Sequence, residues 1–374
     1  MKEIKLLITA RDPATADAIR PLLGSLLADS RFQAEIVAEN PAFKLLRFDA
    51  EKENIPISLF QQCLGQEELI TRCSELMLAK KPDAVLTGIS GPDVGIDEGI
   101  LSVLGEYSVS SYSIQSYWGD INETLSGRPN TLFVIDDYAA TITRQRCQAE
   151  VVITGALKYA DYEKIDTLSM RQQFADTVVR KLDEKLLGFF GQPLSEIQGY
   201  SDSIDMLARV TKELAIKCRI VYRPHPKETQ KSRRETLSLF HARGMEVIVD
   251  ENEDGFPALC GVDIVISAFS TCGYDAIYLN RWSRLPLNTT LFLSFDQQLS
   301  HWYEEYSKLS RVPMANEGLV TNVSRGIDLG NAIHRGLDSQ YQKKVWKKIK
   351  KELSHSKQSV KIIFDKIYQD QVIT

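Results

Sequence analysis

The sequence predicts an α/β protein with two Rossmann-like, doubly wound domains that face a central cleft. Apolar, β-branched runs typical of buried parallel strands alternate with amphipathic helical stretches along most of the chain. The alternation begins again after a polar helical stretch near the middle, and 374 residues suffice for two domains of ordinary size. We therefore predict a first domain over residues 1–165, a linker helix over 166–185, a second domain over 186–330 and basic helices over 331–374.

The first half alternates strands and helices as a parallel sheet with crossover helices requires. Its clearest helix, over 66–80, has apolar residues at helical spacing on one side. The predicted strands are 4–10, 32–37, 55–60, 84–87, 109–114, 131–135 and 151–154, and the predicted helices are 14–27, 42–46, 66–80, one that opens at Asp97, and 138–146. A polar, charge-rich helix over 166–184 then links the two halves.

The second half repeats the alternation, which predicts a second sheet with its own core. No sequence repeat relates the two halves. The predicted strands are 186–190, 220–222, 246–249 and 262–266, and the predicted helices are 203–216, 228–242, 256–260 and one from Ser270.

Composition argues against several classes of protein. The net charge of −5 does not suit a dedicated nucleic-acid binder, and no apolar run approaches the roughly 20 residues of a membrane-spanning helix. The first residues have too short an apolar core for a signal peptide, so we expect a cytoplasmic protein. The six cysteines are scattered without C-x-x-C spacing, which predicts neither a metal site nor a disulfide framework.

Two short motifs after strands of the second half point to an anion site. One strand ends in the segment Arg-Pro-His-Pro, which carries Arg223 and His225 between prolines that restrict the backbone. Another leads to Ser270 and Thr271 at a helix start, where hydroxyls and backbone N–H groups bind anions. Because parallel strands end at one edge of a sheet, the two motifs are predicted to bind a phosphate together.

The chemistry of these side chains suggests a role for each. His225 would donate a proton to a leaving phosphate, and Arg223 would make a forked, charge-assisted contact. Asp275, one turn into the helix, could hold a ribose hydroxyl. Structural alternatives stay open: the histidine would bond to loop backbone, the hydroxyls would only cap the helix, and Asp275 would be a surface acid.

The first half supplies acids that could activate an acceptor. Asp136 and Asp137 follow a buried strand, where a carboxylate could take a proton from a hydroxyl, although both could equally be turn-forming acids. Asp97 and Glu98 are a rival pair at a helix start, with the helix dipole as their alternative role. Residues in loops after strands are predicted to line the acceptor side, namely Ser90, Gly91, Gln115, Trp118 and Asp120. Trp118 is alternatively a core or interface anchor.

Motifs of three common enzyme classes are missing from the sequence. It has no G-x-x-x-x-G-K-[ST] segment, no G-x-G-x-x-G after the first strand and no G-x-S-x-G elbow. These absences argue against a P-loop nucleotidase, a dinucleotide dehydrogenase and an α/β hydrolase.

The C-terminal stretch is basic and has helical periodicity. Lysines and apolar residues alternate there at helical spacing: Lys343, Lys344, Lys347, Lys348, Lys350 and Lys351 with Val345, Trp346, Ile349 and Leu353. One interpretation is a basic amphipathic helix that brings the protein to the inner face of an anionic membrane. The other is a closing helix with a solvated lysine face.

Taken together, these motifs resemble those of GT-B glycosyltransferases. The histidine–proline element at His225 and the pair Ser270 and Thr271 are similar to the donor-phosphate motifs of bacterial sialyltransferases, polysialyltransferases and CDP-glycerol or capsule-polymer transferases. The stretch 188–194, which contains Gln192, resembles the strand and loop that open the nucleotide-binding domain of those enzymes.

Two further likenesses lie in the first half. Asp136 and Asp137 stand where sialyltransferases have an acidic base motif, although Tyr138 replaces the glycine of that motif. Residues 85–155 also resemble the first domain of the UDP-N-acetylglucosamine 2-epimerase-like group.

The resemblance implies an inverting transferase. It would move a sugar or polyol phosphate from a nucleotide-activated donor to a glycan or lipid-linked acceptor in surface polysaccharide biosynthesis. The donor would be the substrate, with no separate cofactor, no metal and no nucleic-acid partner. One alternative is a non-hydrolysing sugar-nucleotide 2-epimerase, which would need more acids and a second histidine. Another is a catalytically inactive GT-B-like binding protein, which would agree with Tyr138 in place of the glycine of the acidic motif.

Overall fold

The chain folds into two compact α/β units. The computed structural model describes residues 3–91, 93–181, 183–214, 216–353 and 357–373. Unit 1 comprises Met1–Asp161 and His355–Thr374, and unit 2 comprises Tyr162–Ser354. Each unit has parallel strands flanked by helices, so the predicted fold class of two doubly wound α/β domains is confirmed.

The described residues of unit 1 form one seven-stranded parallel sheet. Its strands are β1 (Ile4–Ala10), β2 (Phe32–Ala38), β3 (Ile57–Leu59), β4 (Ala84–Gly88), β5 (Ser110–Ile114), β6 (Thr131–Val134) and β7 (Glu150–Ile153). They lie in the order β3-β2-β1-β4-β5-β6-β7. The direction of winding reverses between β1 and β4, and open sheets of this kind bind ligands beyond the carboxyl ends of strands at such a switch point.

Helices cover the sheet of unit 1. They are α1 (Pro13–Ala28), α2 (Ala42–Lys52), α3 (Gln66–Lys80), α4 (Ile96–Val103), α5 (Asp137–Arg146) and α14 (Lys357–Ile373). Helix α1 starts sharply because Asp12 accepts a hydrogen bond from the Thr15 N–H at 2.9 Å and a proline follows it. Helix α14 adds Ile363, Phe364 and Ile367 to the core of this unit.

The described residues of unit 2 form a six-stranded parallel sheet. Its strands are β8 (Lys185–Phe190), β9 (Cys218–Arg223), β10 (Val247–Val249), β11 (Ile264–Ser267), β12 (Thr289–Leu293) and β13 (Thr321–Val323), in the order β10-β9-β8-β11-β12-β13. This is the usual strand order of a dinucleotide-binding fold, with its switch point between β8 and β11.

The helices of unit 2 pack on both faces of that sheet. They are α6 (Thr167–Thr177), α7 (Gln198–Glu213), α8 (Gln230–Ala242), α9 (Phe256–Gly261), α10 (Cys272–Trp282), α11 (Gln297–Ser307), α12 (Leu329–Leu337) and α13 (Ser339–Glu352). Buried rings join strand to helix, since Phe189 contacts both Tyr222 and Phe240 with ring centroids 6.0 and 5.6 Å apart.

The predicted linker helix over 166–184 is too long. Helix α6 ends at Thr177, and Val178 is already extended, with φ −118° and ψ 97°. Three successive β-branched residues, at 177–179, have low helix propensity and explain the early end. The helix packs within unit 2, where Phe174 lies against Gly261 of α9.

Candidate functional site

The two predicted phosphate-binding motifs lie at the same edge of the unit 2 sheet. Strand β9 leads to His225, and β11 leads to Ser270 and Thr271. Both strands pair in parallel with β8, one on each side. The ends of β9 and β11 are therefore two strand spacings apart, about 10 Å.

The ring of His225 has a defined tautomer. Its Nδ1 accepts a hydrogen bond from the backbone N–H of Lys227 at 3.1 Å, so in the neutral ring the proton is on Nε2. Burial and, secondly, the charge of Lys227 lower the pKa of the imidazole, which favours the neutral form. Nε2 makes no hydrogen bond to another described residue and is thus a donor available to a ligand.

Two further donors lie at the switch point between β8 and β11. The Oε1 of Gln192 accepts the backbone N–H of Phe269 at 2.7 Å, and its amide NH₂ has no partner among the described residues. The Ser270 hydroxyl accepts from the Cys272 N–H at 3.3 Å. Thr271 is the N-cap of α10 without a side-chain capping bond, so its exposed hydroxyl is open to a ligand, as far as the described chain goes.

The structure places Arg223 in a different contact from the predicted one. Its guanidinium forms an ion pair with the buried carboxylate of Asp250 at 2.7 Å and donates to the carbonyl of Glu253 at 3.1 Å. Arg223 therefore holds the loop after β10 against β9. Asp275 is also buried and accepts a hydrogen bond from the Tyr162 hydroxyl at 3.1 Å, so its carboxylate is not a surface acid.

A buried polar network occupies the switch point of unit 1. Asp97 is 1% exposed and accepts hydrogen bonds from the hydroxyls of Thr9 at 2.5 Å and Ser90 at 2.9 Å. Burial and, secondly, the charge of Glu98 raise the pKa of Asp97 to about 8. Asp97 lies in the first turn of α4, as predicted, and its buried side chain also joins α4 to β1 and to the loop after β4.

Glu98 organises the loop after β4. Its carboxylate lies 3.5 Å from the Arg11 guanidinium and accepts hydrogen bonds from Asn122 at 2.9 Å and from the Gly95 N–H at 3.0 Å. Arg11 and Asn122 each donate to the carbonyls of Gly91 and Asp93 as well. Sequence reasoning missed Arg11 and Asn122, although Arg11 directly follows the first strand, a position that invites attention in a doubly wound sheet.

Most residues predicted for the acceptor side are engaged in bonds within unit 1. Ser90 belongs to the buried network, and the Gln115 amide donates to Thr143 at 3.0 Å and to the Asp120 carbonyl at 2.9 Å. Trp118 is 2% exposed and donates from its indole to Asp136 at 2.7 Å, so it is a core anchor.

The two acids predicted to supply the base differ in their surroundings. Asp136 is the N-cap of α5 and accepts from the Ala139 N–H at 2.8 Å in addition to its bond with Trp118. Asp137 is exposed in the first turn of α5, where its charge complements the helix dipole.

Asp120 has the surroundings of a general base. It is half-buried at the carboxyl edge of the unit 1 sheet, a few residues after β5. Burial and, secondly, the charge of Asp12 raise the pKa of the Asp120 carboxyl to about 7, against the opposing charge of Arg146. A base works best when its pKa is close to the ambient pH, so this carboxyl suits proton abstraction near neutrality.

The basic C-terminal helix uses its apolar side within unit 2. Val345 and Ile349 of α13 are buried, and the Trp346 indole donates to the Ser283 hydroxyl at 3.1 Å. None of the described helices combines the length and apolar character that spanning a bilayer demands. Among the described residues, no group of three or more His, Cys, Asp and Glu side chains is arranged to hold a metal ion.

Comparison with known proteins identifies the fold class. No protein-family profile and no curated protein sequence matches the chain. The structure of UDP-GlcNAc 2-epimerase from Neisseria meningitidis bound to UDP-GlcNAc is similar over 98% of this chain and 100% of that one, at 13% identity and a TM-score of 0.66.

Two other similar structures are those of a glycosyltransferase and of MurG. A glycosyltransferase from Rickettsia africae matches 100% of this chain and 99% of its own at 10% identity, with a TM-score of 0.65. MurG from Acinetobacter baumannii matches 97% of this chain and 99% of its own at 11% identity, with a TM-score of 0.57. Further UDP-GlcNAc 2-epimerases are also similar.

These likenesses define the protein as one with a GT-B fold, as the motifs predicted. At such low identities they establish the architecture and leave the reaction open. They do not support the finer resemblance to sialyltransferases or CDP-glycerol transferases, because the Neisseria epimerase, the Rickettsia glycosyltransferase and MurG carry neither of those names.

Proposed function

We propose that the protein is a glycosyltransferase that moves a sugar from a nucleotide-activated donor to a hydroxyl of a glycan or lipid-linked acceptor. The observation that carries this proposal is a set of hydrogen-bond donors at the carboxyl edge of the unit 2 sheet that have no partner among the described residues. They are His225 Nε2, the Gln192 amide and the Thr271 hydroxyl. Donors beside a helix N-terminus suit the phosphate oxygens of a nucleotide.

The proposed reaction is a single displacement with inversion. The acceptor oxygen attacks the anomeric carbon, and the bond from that carbon to the leaving phosphate oxygen breaks. The hydrogen-bond donors of unit 2 stabilise the charge on the leaving nucleotide. A carboxylate of unit 1 takes the proton from the hydroxyl of the acceptor. Asp120 is the favoured base because burial raises its pKa to about 7. Asp136 and Asp137 stay candidates through their resemblance to the sialyltransferase motif.

The donor nucleotide is proposed to carry uridine. This choice follows the similar structures, one of which is bound to UDP-GlcNAc and another to UDP. The motif likeness to sialyltransferases and CDP-glycerol transferases makes cytidine nucleotides the next choice. A place in surface polysaccharide synthesis belongs to the same proposal, and contact with an anionic membrane would rest on the exposed lysines of α13 alone.

A 2-epimerase is the second candidate, favoured by the several UDP-GlcNAc 2-epimerases among the similar structures. Epimerisation by proton removal must return the proton to the opposite face of the carbon, so it needs acid–base groups on both sides of the sugar. In unit 1, Asp97 and Glu98 are buried and already bonded within the protein. A transferase requires only one base, and Asp120 is suited to that role.

Product analysis separates these candidates. Purified protein is incubated with UDP-, CMP-, CDP- and GDP-activated sugars, each with and without simple saccharide acceptors. A transferase releases nucleotide and forms a glycoside in proportion to the acceptor. Epimerised donor in the absence of acceptor would instead establish the second candidate, and nucleotide binding without any product would indicate an inactive binding protein.

A further inference from the structure

We propose that Glu228 is a positioning residue that sets the orientation of the His225 ring. The inference rests on the proposed function of His225, which is to donate a hydrogen bond to a phosphate of the nucleotide. Glu228 lies between the end of β9 and the start of α8, and it is 8% exposed. A carboxylate so placed is held in the protein by its partners, because an isolated charge would be costly to bury.

The Glu228 carboxylate ties the histidine loop to its strand. One oxygen accepts a short hydrogen bond from the hydroxyl of Tyr222, the penultimate residue of β9. The other accepts from the backbone N–H of His225 at 3.3 Å. The backbone N–H of Glu228 donates in turn to the His225 carbonyl at 2.9 Å. Both peptide groups of the histidine are therefore bonded to this single residue.

The neighbouring strand closes the remaining side of the carboxylate. A Cβ built on Gly191, directly after β8, would lie 2.1 Å from Oε1 of Glu228, so a larger residue there would displace the carboxylate. Gly191 also donates from its N–H to the Arg223 carbonyl at 2.9 Å. Glu228 is thus enclosed by β9, by the histidine loop and by the end of β8, and little room is left for another rotamer.

This enclosure gives Glu228 an indirect role. Both of its oxygens are occupied and it is buried, so it does not touch a substrate. Its effect is on the imidazole: with the His225 backbone fixed, Nδ1 meets the Lys227 N–H and Nε2–H points away as a donor. The ion pair of Arg223 with Asp250 secures the strand side of the loop and cannot replace these bonds. Burial also raises the pKa of Glu228, which its bond from Tyr222 opposes.

The test compares three variants of the full-length protein. Glu228→Ala removes the acceptor for both donors. Glu228→Gln can form both hydrogen bonds, with the direction of one reversed: its carbonyl accepts from the His225 N–H, and its amide donates to the Tyr222 oxygen. Tyr222→Phe removes only the strand bond. Heteronuclear NMR with labelled histidine reports the tautomer of His225, with His225→Ala identifying its signal.

We expect the Nε2–H tautomer to dominate in the wild type and in Glu228→Gln, and to mix with the other tautomer in Glu228→Ala. Donor turnover should fall about 10²-fold in Glu228→Ala, as for a misplaced catalytic group, and only a few-fold in Glu228→Gln. The losses of turnover in Glu228→Ala and in His225→Ala should not multiply in the double variant, because both changes remove the same contact between His225 and the phosphate.

An unchanged tautomer in Glu228→Ala, or losses that multiply in the double variant, would overturn the inference. If Glu228→Ala fails to fold, Tyr222→Phe gives the same comparison with one bond removed. Because the tautomer is read without turnover, the inference can fail while His225→Ala still abolishes activity. Equally, the proposed function can fail, through full activity of His225→Ala, while the ring orientation still depends on Glu228.

Discussion

Burial shifts the pKa values of His225 and Asp120 so that the uncharged form of each group is favoured. The pKa of the histidine is lowered, so that the ring is neutral and donates from Nε2. The pKa of the aspartate is raised to about 7, so that its carboxylate can accept a proton at an ordinary pH. The two shifts have opposite signs and the same first cause, since burial disfavours the charged form of either group.

Replacing Asp120 should remove the basic form that the reaction needs. A base must be ionised, so wild-type turnover should rise as the pH increases through about 7, where the Asp120 carboxyl loses its proton. Asp120→Asn should lower kcat by roughly 10²–10⁴-fold and abolish this rise. The check is a pH profile of kcat, with Glu106→Gln, an exposed acid of the same unit, as the control. Loss of the rise in Asp137→Asn instead would move the role to that residue.

Local sequence identified some site residues and not others. The motif around His225 predicted a ligand-facing histidine, and its Nε2 is open among the described residues. Arg223 lay in the same motif, but its partner Asp250 is 27 positions away, and a contact of that range is not visible in a motif. The raised pKa of Asp120 results from burial and, secondly, from the charge of Asp12 at a different strand end, and neither cause is visible in the residues next to Asp120 in the sequence.

Strand ends and helix starts place the polar residues of both units. In unit 1, β4 ends at Gly88, which packs closely against Thr15 of α1. A Cβ at Gly88 would lie 2.0 Å from the Thr15 side chain. Thr15 contacts the Ser90 hydroxyl at 3.0 Å, so the packing of β4 on α1 also sets the loop that carries Ser90.

A methyl group at Gly88 should disturb this packing. Gly88→Ala forces Thr15 or the strand to move, and we expect the free energy of unfolding to fall by about 1–3 kcal/mol. Gly24→Ala is the matched control, since nothing lies within 4 Å of its Cβ and an alanine in an exposed helix position stabilises by roughly 1 kcal/mol. Chemical denaturation of both variants measures the difference, and equal stability of the two would contradict this account of the strand end.

Element prediction succeeded where periodicity was long and uninterrupted. The helix over 66–80 and the strand over 4–10 match α3 and β1, since their patterns are unambiguous. Strands β12 and β13 were not predicted. Shortness alone does not explain this, because the three-residue strands β3 and β10 lie within predicted strands. The helix predicted over 166–184 was too long. Its charged residues are typical of a helix, but β-branched residues end the helix at Thr177.

At the scale of the molecule, each unit has a core of its own, and the last helix completes that of unit 1. Ile363 and Ile367 of α14 are fully buried there, and the Phe364 ring lies 5.3 Å from that of Phe32. The periodicity of 360–367 predicts a buried face, but only the folded chain shows which core receives it. A contact between segments more than 300 positions apart leaves no local signal, as between Arg31 and Asp365 at 2.9 Å.

The stability of unit 1 should therefore depend on α14. Ile363→Ala leaves a cavity in a core and should lower the free energy of unfolding by about 2–5 kcal/mol. Val372→Ala on the same helix is the control, because Val372 is 54% exposed and should change stability by less than about 0.5 kcal/mol. Denaturation monitored by circular dichroism compares them, and an equal effect of the two would mean that α14 does not complete the core.

Unit 2 is proposed to bind the phosphates of a nucleotide through His225. The most direct test of this proposal is calorimetric titration of the nucleotide that most raises the melting temperature in a panel of UDP, CDP, CMP and GDP. Wild type and Lys343→Ala, an exposed change on α13, should bind with the same Kd. His225→Ala should have the same melting temperature as the wild type without nucleotide. It should bind the nucleotide about tenfold to a hundredfold more weakly, which corresponds to the loss of one hydrogen bond to a charged group. A wild-type Kd in His225→Ala would contradict the account.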